Sequence, residues 1–139
     1  MTDTIRDVMT PHPAAVTADT TLTETARLMR DNDIGDVLVT RGDRLVGIVT
    51  DRDVTVRATA EGLDPRITPV ESCLSPDLVV VEADDDVDEA VETLRDRAIR
   101  RVPVVDGDIV VGIVSIGDLA RERDPDSALA AISSAPAND

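Results

Sequence analysis

GIVTDRD at residues 47–53 returns as GIVSIGD at residues 112–118. Both stretches read glycine, two β-branched residues, a hydroxyl residue, two variable positions and an aspartate. Laying Gly47 on Gly112 extends the match in both directions without a gap and aligns residues 8–55 with 73–120. Seventeen of those 48 pairs are identical, among them Pro11/Pro76, Asp19/Asp84, Gly42/Gly107 and Asp53/Asp118. A composition this biased yields about 5 by chance. The chain is one unit written twice.

Each copy reads in the same order. After Thr10-Pro11 or Ser75-Pro76 comes a short apolar strand, AAVT (14–17) in one copy and LVVVE (78–82) in the other. Thr21…Glu24 and Asp86…Glu89 then have the spacing of helix capping boxes, a side-chain acceptor followed three positions on by a carboxylate. Apolar residues at Leu22, Ala26 and Met29, and at Val87, Val91 and Leu94, predict one core-facing stripe per helix. Two strands around a tight turn follow, with Gly42 and Gly107 at the turns. A second helix is expected at 51–60 and again at 116–123. The fold class is therefore α/β (α+β), two tandem β-α-β-β-α repeats, with repeat 1 over 1–62, repeat 2 over 63–124 and a tail, 125–139, that is a short helix or disordered. The acidic run from Asp84 to Glu89 lacks the glycine and the alternating ligands of a calcium loop and reads as a helix start.

Composition narrows the function. Twenty-nine acidic residues face 14 basic ones, for a net charge of −15 in 139 residues. All the bases are arginine, and no lysine occurs. Such a surface repels nucleic acid and anionic membranes, so neither is an expected partner. It suits a high-salt cytoplasm, and a GC-rich genome would enrich the same residues. There is no charge-led apolar leader, and no apolar run is long enough to span a membrane, so a soluble cytoplasmic protein is expected. The one cysteine, Cys73, reads as a small buried apolar side chain. No Phe, Tyr or Trp is present, so the core is aliphatic and no ring is available for stacking.

The chemistry of the chain is concentrated in its repeated heptad. The hydroxyl of Thr50 or Ser115 ends a strand, and Asp53 or Asp118 lies in the first turn of the next helix. Gly47 and Gly112, three positions before the hydroxyl, let another group approach the backbone. A carboxylate three positions beyond the hydroxyl can accept hydrogen bonds from two vicinal ribose hydroxyls. The bland alternative is that Thr50 and Ser115 are plain N-caps, with Asp53 and Asp118 as first-turn acids.

The doubled unit resembles a tandem pair of cystathionine-β-synthase (CBS) domains, the Bateman module. IRDVMTP (5–11), GDVLVTRGDRLVGIVTDRD (35–53), IRRVPVV (99–105) and GDIVVGIVSIGD (107–118) carry the likeness, which spans about residues 3–124 and is nearest to small stand-alone CBS pairs. The resemblance implies two halves related by pseudo-twofold symmetry and ligands such as AMP, ADP, ATP, NAD or S-adenosylmethionine in the clefts. It implies that Asp53 and Asp118 hold ribose, with Thr50 and Ser115 beside them. Thr10 and Ser75 contribute ahead of each first strand. Arg100 or Arg101 reaches phosphate, and Arg52 and Arg57 lie close enough to help. The copies differ here: Gly35-Asp36 stands where the second has Arg100-Arg101, and Asp51-Arg52 where it has Ile116-Gly117. The two sites should therefore differ in affinity. A homodimer is expected too, through apolar helix faces at Val54, Val56 and Leu119.

Catalysis finds little support. His12, the lone histidine, sits between prolines and reads as a loop residue. No CxxC or HExxH zinc motif occurs, and without lysine a P-loop is impossible. The expected function is non-enzymatic: a sensor of adenine nucleotides acting on a partner that the sequence does not identify, with no cofactor. The alternative is a protein-interaction or stability factor that binds no nucleotide.

Overall fold

Two hairpins of identical register anchor the molecule, whose computed structural model describes residues 4–74, 78–97, 99–115 and 117–119. In chain order the elements are α1 (Ile5–Val8), β1 (Thr10–Pro11), β2 (Ala15–Thr17), α2 (Leu22–Asn32), β3 (Asp36–Arg41), β4 (Arg44–Thr50) and a helical turn, α3 (Asp51–Asp53). A π-helical stretch, Val54–Thr59, continues α3, and a 3-10 turn occupies Val70–Cys73. Then come β5 (Val81–Glu82), α4 (Val87–Arg97), β6 (Arg101–Asp106) and β7 (Ile109–Ser115), with residues 117–119 helical. This is the mixed α+β, twice-repeated order expected from the sequence. The tail, 125–139, and most of the helix expected at 116–123 lie outside the described residues.

The chain divides into two compact units, Ala14–Leu78 and Met1–Pro13 with Val79–Asp139. In the first, β2 runs parallel to β3 and β3 antiparallel to β4. In the second, β5 runs parallel to β6, β6 antiparallel to β7, and β1 adds to the far side of β7. Arg41 pairs with Arg44 and Asp106 with Ile109, leaving short loops that open on Gly42 and Gly107 at φ 64° and 67°. A positive-φ glycine at the first loop position is the II′ pattern, whose twist matches that of the flanking strands. Both hairpins carry an irregularity at equivalent places, Val39/Thr40 and Val104/Val105.

Each unit has its own aliphatic core. Ala18, Leu22, Met29, Val37, Val39 and Val49 form one; Ala83, Val87, Leu94, Val102, Val104 and Val114, their counterparts in the second copy, form the other. The helix stripes depart from expectation by one position. Thr25 and Ala90 are buried, while Ala26 is exposed and Val91 only half-buried. A threonine is tolerated there because its hydroxyl donates to the Thr21 carbonyl at 2.9 Å, which satisfies it inside the helix. The Thr21 side chain in turn accepts from the Glu24 amide at 3.2 Å, the N-cap half of the expected capping box. Leu119, expected on an exposed face, is 2 % exposed and belongs to the core of its unit. Its helical turn presents that side chain inward.

The sequence repeats and the packed units are cut at different places. Ile5 is fully buried in the core built around the second copy, and Val70, its counterpart, in the core built around the first. The backbone repeats the exchange. Ile5 and Arg6 amides donate to Asp85 and Ala83 carbonyls, while Val70 and Glu71 amides donate to Thr20 and Ala18 carbonyls. Burying either apolar side chain is worth about 1.5–3 kcal/mol. The leading segment of each copy thus completes the unit formed by the body of the other.

Candidate functional site

The repeated heptad folds into the same turn in both units. The Thr50 amide donates to Asp53 Oδ2 at 2.9 Å, and the Asp53 amide donates to Thr50 Oγ1 at 3.0 Å. Ser115 and Asp118 make the same two bonds at 3.0 and 3.1 Å. Each turn is a reciprocal capping box, the hydroxyl and carboxylate locking the strand end to the first helical turn. Asp53 is only 8 % exposed, and its second oxygen, Oδ1, accepts from Arg57 Nε at 3.3 Å. Asp118 is half-buried. Two positioned, partly desolvated carboxylates result, each beside a hydroxyl. A carboxylate offers about four acceptor directions, so capping and ligand binding are compatible uses of one group.

Strand register sets the surroundings. Asp36 is the paired residue of Thr50, and Arg101 that of Ser115. Asp51 donates its amide to the Gly35 carbonyl at 3.0 Å, which draws a further carboxylate toward the first turn. Arg52 and Arg100 are exposed near their respective turns. Thr10 pairs with Ile113, so the leading segment of the first copy lies along the strand that ends in Ser115. Thr10, Arg101, Ser115 and Asp118 thus gather in one unit, and Thr50, Asp53, Arg52 and Arg57 in the other. Ser75 lies outside the described residues.

Gly47 and Gly112 do admit a close approach, and the approaching group is the chain itself. A Cβ on Gly112 would stand 2.8 Å from the Thr10 carbonyl oxygen and 2.5 Å from Met9 Sδ. On Gly47 it would meet Leu74 Cδ1 at 3.1 Å. Met9 and Leu74 are counterparts, so each glycine seats the leading segment of the other copy.

Cys73 is buried beneath the first turn. Burial pushes its thiol up, the Asp53 carboxylate adds to the shift, and Arg57 opposes it. His12 is exposed at φ 52°. Among the described residues, no group of three or more His, Cys, Asp and Glu could hold a metal ion, and no helix is long and apolar enough to cross a membrane. A cleft of about 490 Å³ in the first unit is lined by α2 and the residues that follow it, Asp33 to Gly35, and by Asp51 of α3 with Val54 and Thr55 of the π-helical stretch. Gly35 and Asp51, beside the first turn, belong to its lining, whereas Thr50 and Asp53 do not.

Comparison with known proteins agrees with the repeat. The CBS domain family matches the chain twice, at residues 5–58 and 70–124. The CBS domain-containing protein YhcV of Bacillus subtilis is 38% identical over 116 residues, 84% of this chain and 82% of that protein. Hypoxic response protein 1 of Mycobacterium tuberculosis is 35% identical over 119 residues, 85% of this chain and 83% of that protein. The crystal structure of Hypoxic Response Protein I, which holds two coordinated zinc ions, superposes with a TM-score of 0.79 at 35% identity, covering 86% of this chain and 98% of that one. A hexameric CBS-CP12 protein from bloom-forming cyanobacteria gives 0.75 at 26% identity, covering 89% and 74%.

Proposed function

We propose, on the premise that this chain belongs to the CBS domain family as a tandem pair, that it is a non-enzymatic regulatory module of the cytoplasm that binds an adenosine-containing nucleotide at its repeated turns. AMP, ADP and ATP are the first ligands to consider, with NAD and S-adenosylmethionine next. The observation that supports this is the duplicated placement of a hydroxyl and a half-buried or buried carboxylate, held by the same two hydrogen bonds in each unit. Asp53 and Asp118 accept from ribose hydroxyls, Thr50 and Ser115 lie alongside, and Arg52, Arg57, Arg100 and Arg101 supply positive charge in an otherwise anionic protein. Gly47 and Gly112 act at one remove, by seating Leu74 and Met9. Ligand binding biases the arrangement of the module and, through it, a partner protein.

The absence of aromatic residues makes the test direct, because bound adenine is read at 260 nm without protein background. Equilibrium dialysis against AMP, ATP and NAD compares the wild type with an Asp53→Asn, Asp118→Asn double variant. Asparagine keeps one acceptor for the cap and removes the charge and the second oxygen. Saturable uptake by the wild type and a loss of tenfold or more in the variant is the expected outcome. The rival reading draws on the same geometry: the carboxylates already cap their turns, so the chain could serve as an interaction factor alone. No uptake of any adenine compound by the folded wild type decides for that rival.

A further inference from the structure

We infer that Asp36 is a specificity-determining residue, which turns the Thr50 site against phosphorylated ligands and leaves phosphate to the Ser115 site; this rests on the nucleotide reading above. Directly paired residues of antiparallel strands carry their side chains on one face, with Cβ atoms about 4.5–5.5 Å apart. Asp36 is paired with Thr50, and Arg101, its counterpart in the second copy, with Ser115. The residue paired with the ligand-turn hydroxyl is therefore acidic in one unit and basic in the other.

The adjoining residues deepen the contrast. A Cβ on Gly35 would lie 3.2 Å from Asp51 Oδ2, so a second carboxylate stands beside the first turn. The counterpart of Gly35 is Arg100, exposed beside Arg101. Of the bases near the first turn, Arg57 directs its Nε to Asp53, and Arg52 is exposed. Asp36 and Arg101 each engage further groups, and each keeps its own formal charge. A phosphate monoester carries about −1.5 to −2 charges at neutral pH. Beside Asp36 it meets like charge, and beside Arg101 it gains charge-assisted, bidentate hydrogen bonds. A nucleoside without phosphate is indifferent to the difference.

Equilibrium dialysis of AMP and of adenosine, read at 260 nm, tests this on the wild type, Asp36→Asn and Asp36→Arg, with circular dichroism and a thermal midpoint verifying that each variant folds. The wild type is expected to take one AMP but two adenosines per chain. Asp36→Asn strengthens the second AMP site by about tenfold, and Asp36→Arg brings both sites near parity, while adenosine affinity moves less than about threefold. Two equal AMP sites in the wild type overturn the inference. So does a folded Asp36→Arg variant that takes two adenosines and still only one AMP. If neither AMP nor adenosine binds, the nucleotide reading itself fails and the charge filter falls with it.

Discussion

At the scale of single residues, the two heptad glycines separate in what they tolerate. A Cβ added at Gly112 would stand 2.8 Å from a backbone oxygen, which moves only if β1 moves, whereas one at Gly47 would stand 3.1 Å from the end of a leucine side chain. Gly112→Ala should cost about 2–3 kcal/mol and Gly47→Ala less than about 1 kcal/mol, read as midpoints of urea unfolding. Equal losses would show that the leading segments are seated otherwise. The turn chemistry was legible in the sequence because hydroxyl and carboxylate stand three positions apart, the spacing of a capping box. Who occupies the space over the glycines was not legible. A glycine in a strand announces a close approach without naming the group. Here the approach comes from the start of the chain, at Met9 and Thr10, in one unit, and from Leu74, beyond the first copy, in the other.

At the scale of elements, the copies differ most at their first strands. β2 pairs over Ala15–Thr17, and β5 over Val81–Glu82 alone, although LVVVE is the more apolar sequence. Leu38 explains it: its amide donates to the Ala14 carbonyl at 3.0 Å. The counterpart of Leu38 is Pro103, which has no N–H to donate, so the ladder in the second unit starts later. Pro103→Leu should lengthen β5. The amide created at 103 should exchange slowly in the folded protein, with overall stability changed by less than about 1 kcal/mol because the gained hydrogen bond offsets the looser unfolded chain. Fast exchange at 103 would assign the short strand to some other cause. Helix stripes were legible to within one position. The slip at Thr25 arose because hydropathy scores a threonine as polar, and a hydroxyl bonded back to its own helix escapes that score.

At the scale of the whole molecule, charge governs association. With −15 on each chain, two copies repel one another, while Val56, 47 % exposed on the π-helical stretch, offers apolar surface for pairing. We propose a homodimer that salt strengthens, since the screening length shrinks from about 10 Å at 0.1 M to about 3 Å at 1 M. Sedimentation equilibrium should show dimer in molar KCl and a shift toward monomer in dilute buffer; monomer in both removes the dimer. The fold class was legible because a repeat this long carries its own alignment. The partition into units was not, since periodicity locates a copy and says nothing about which core its first residues enter. The exchanged leading segments have one more property. Arg6 pairs with Asp106 at 3.2 Å, and at the equivalent place Glu71 pairs with Arg41: the same bridge with its polarity reversed. Each leader is a plug, and the two sockets are keyed with opposite charges. A plug in the wrong socket would set arginine against arginine or acid against acid, so the chain carries its own instruction against folding each copy upon itself.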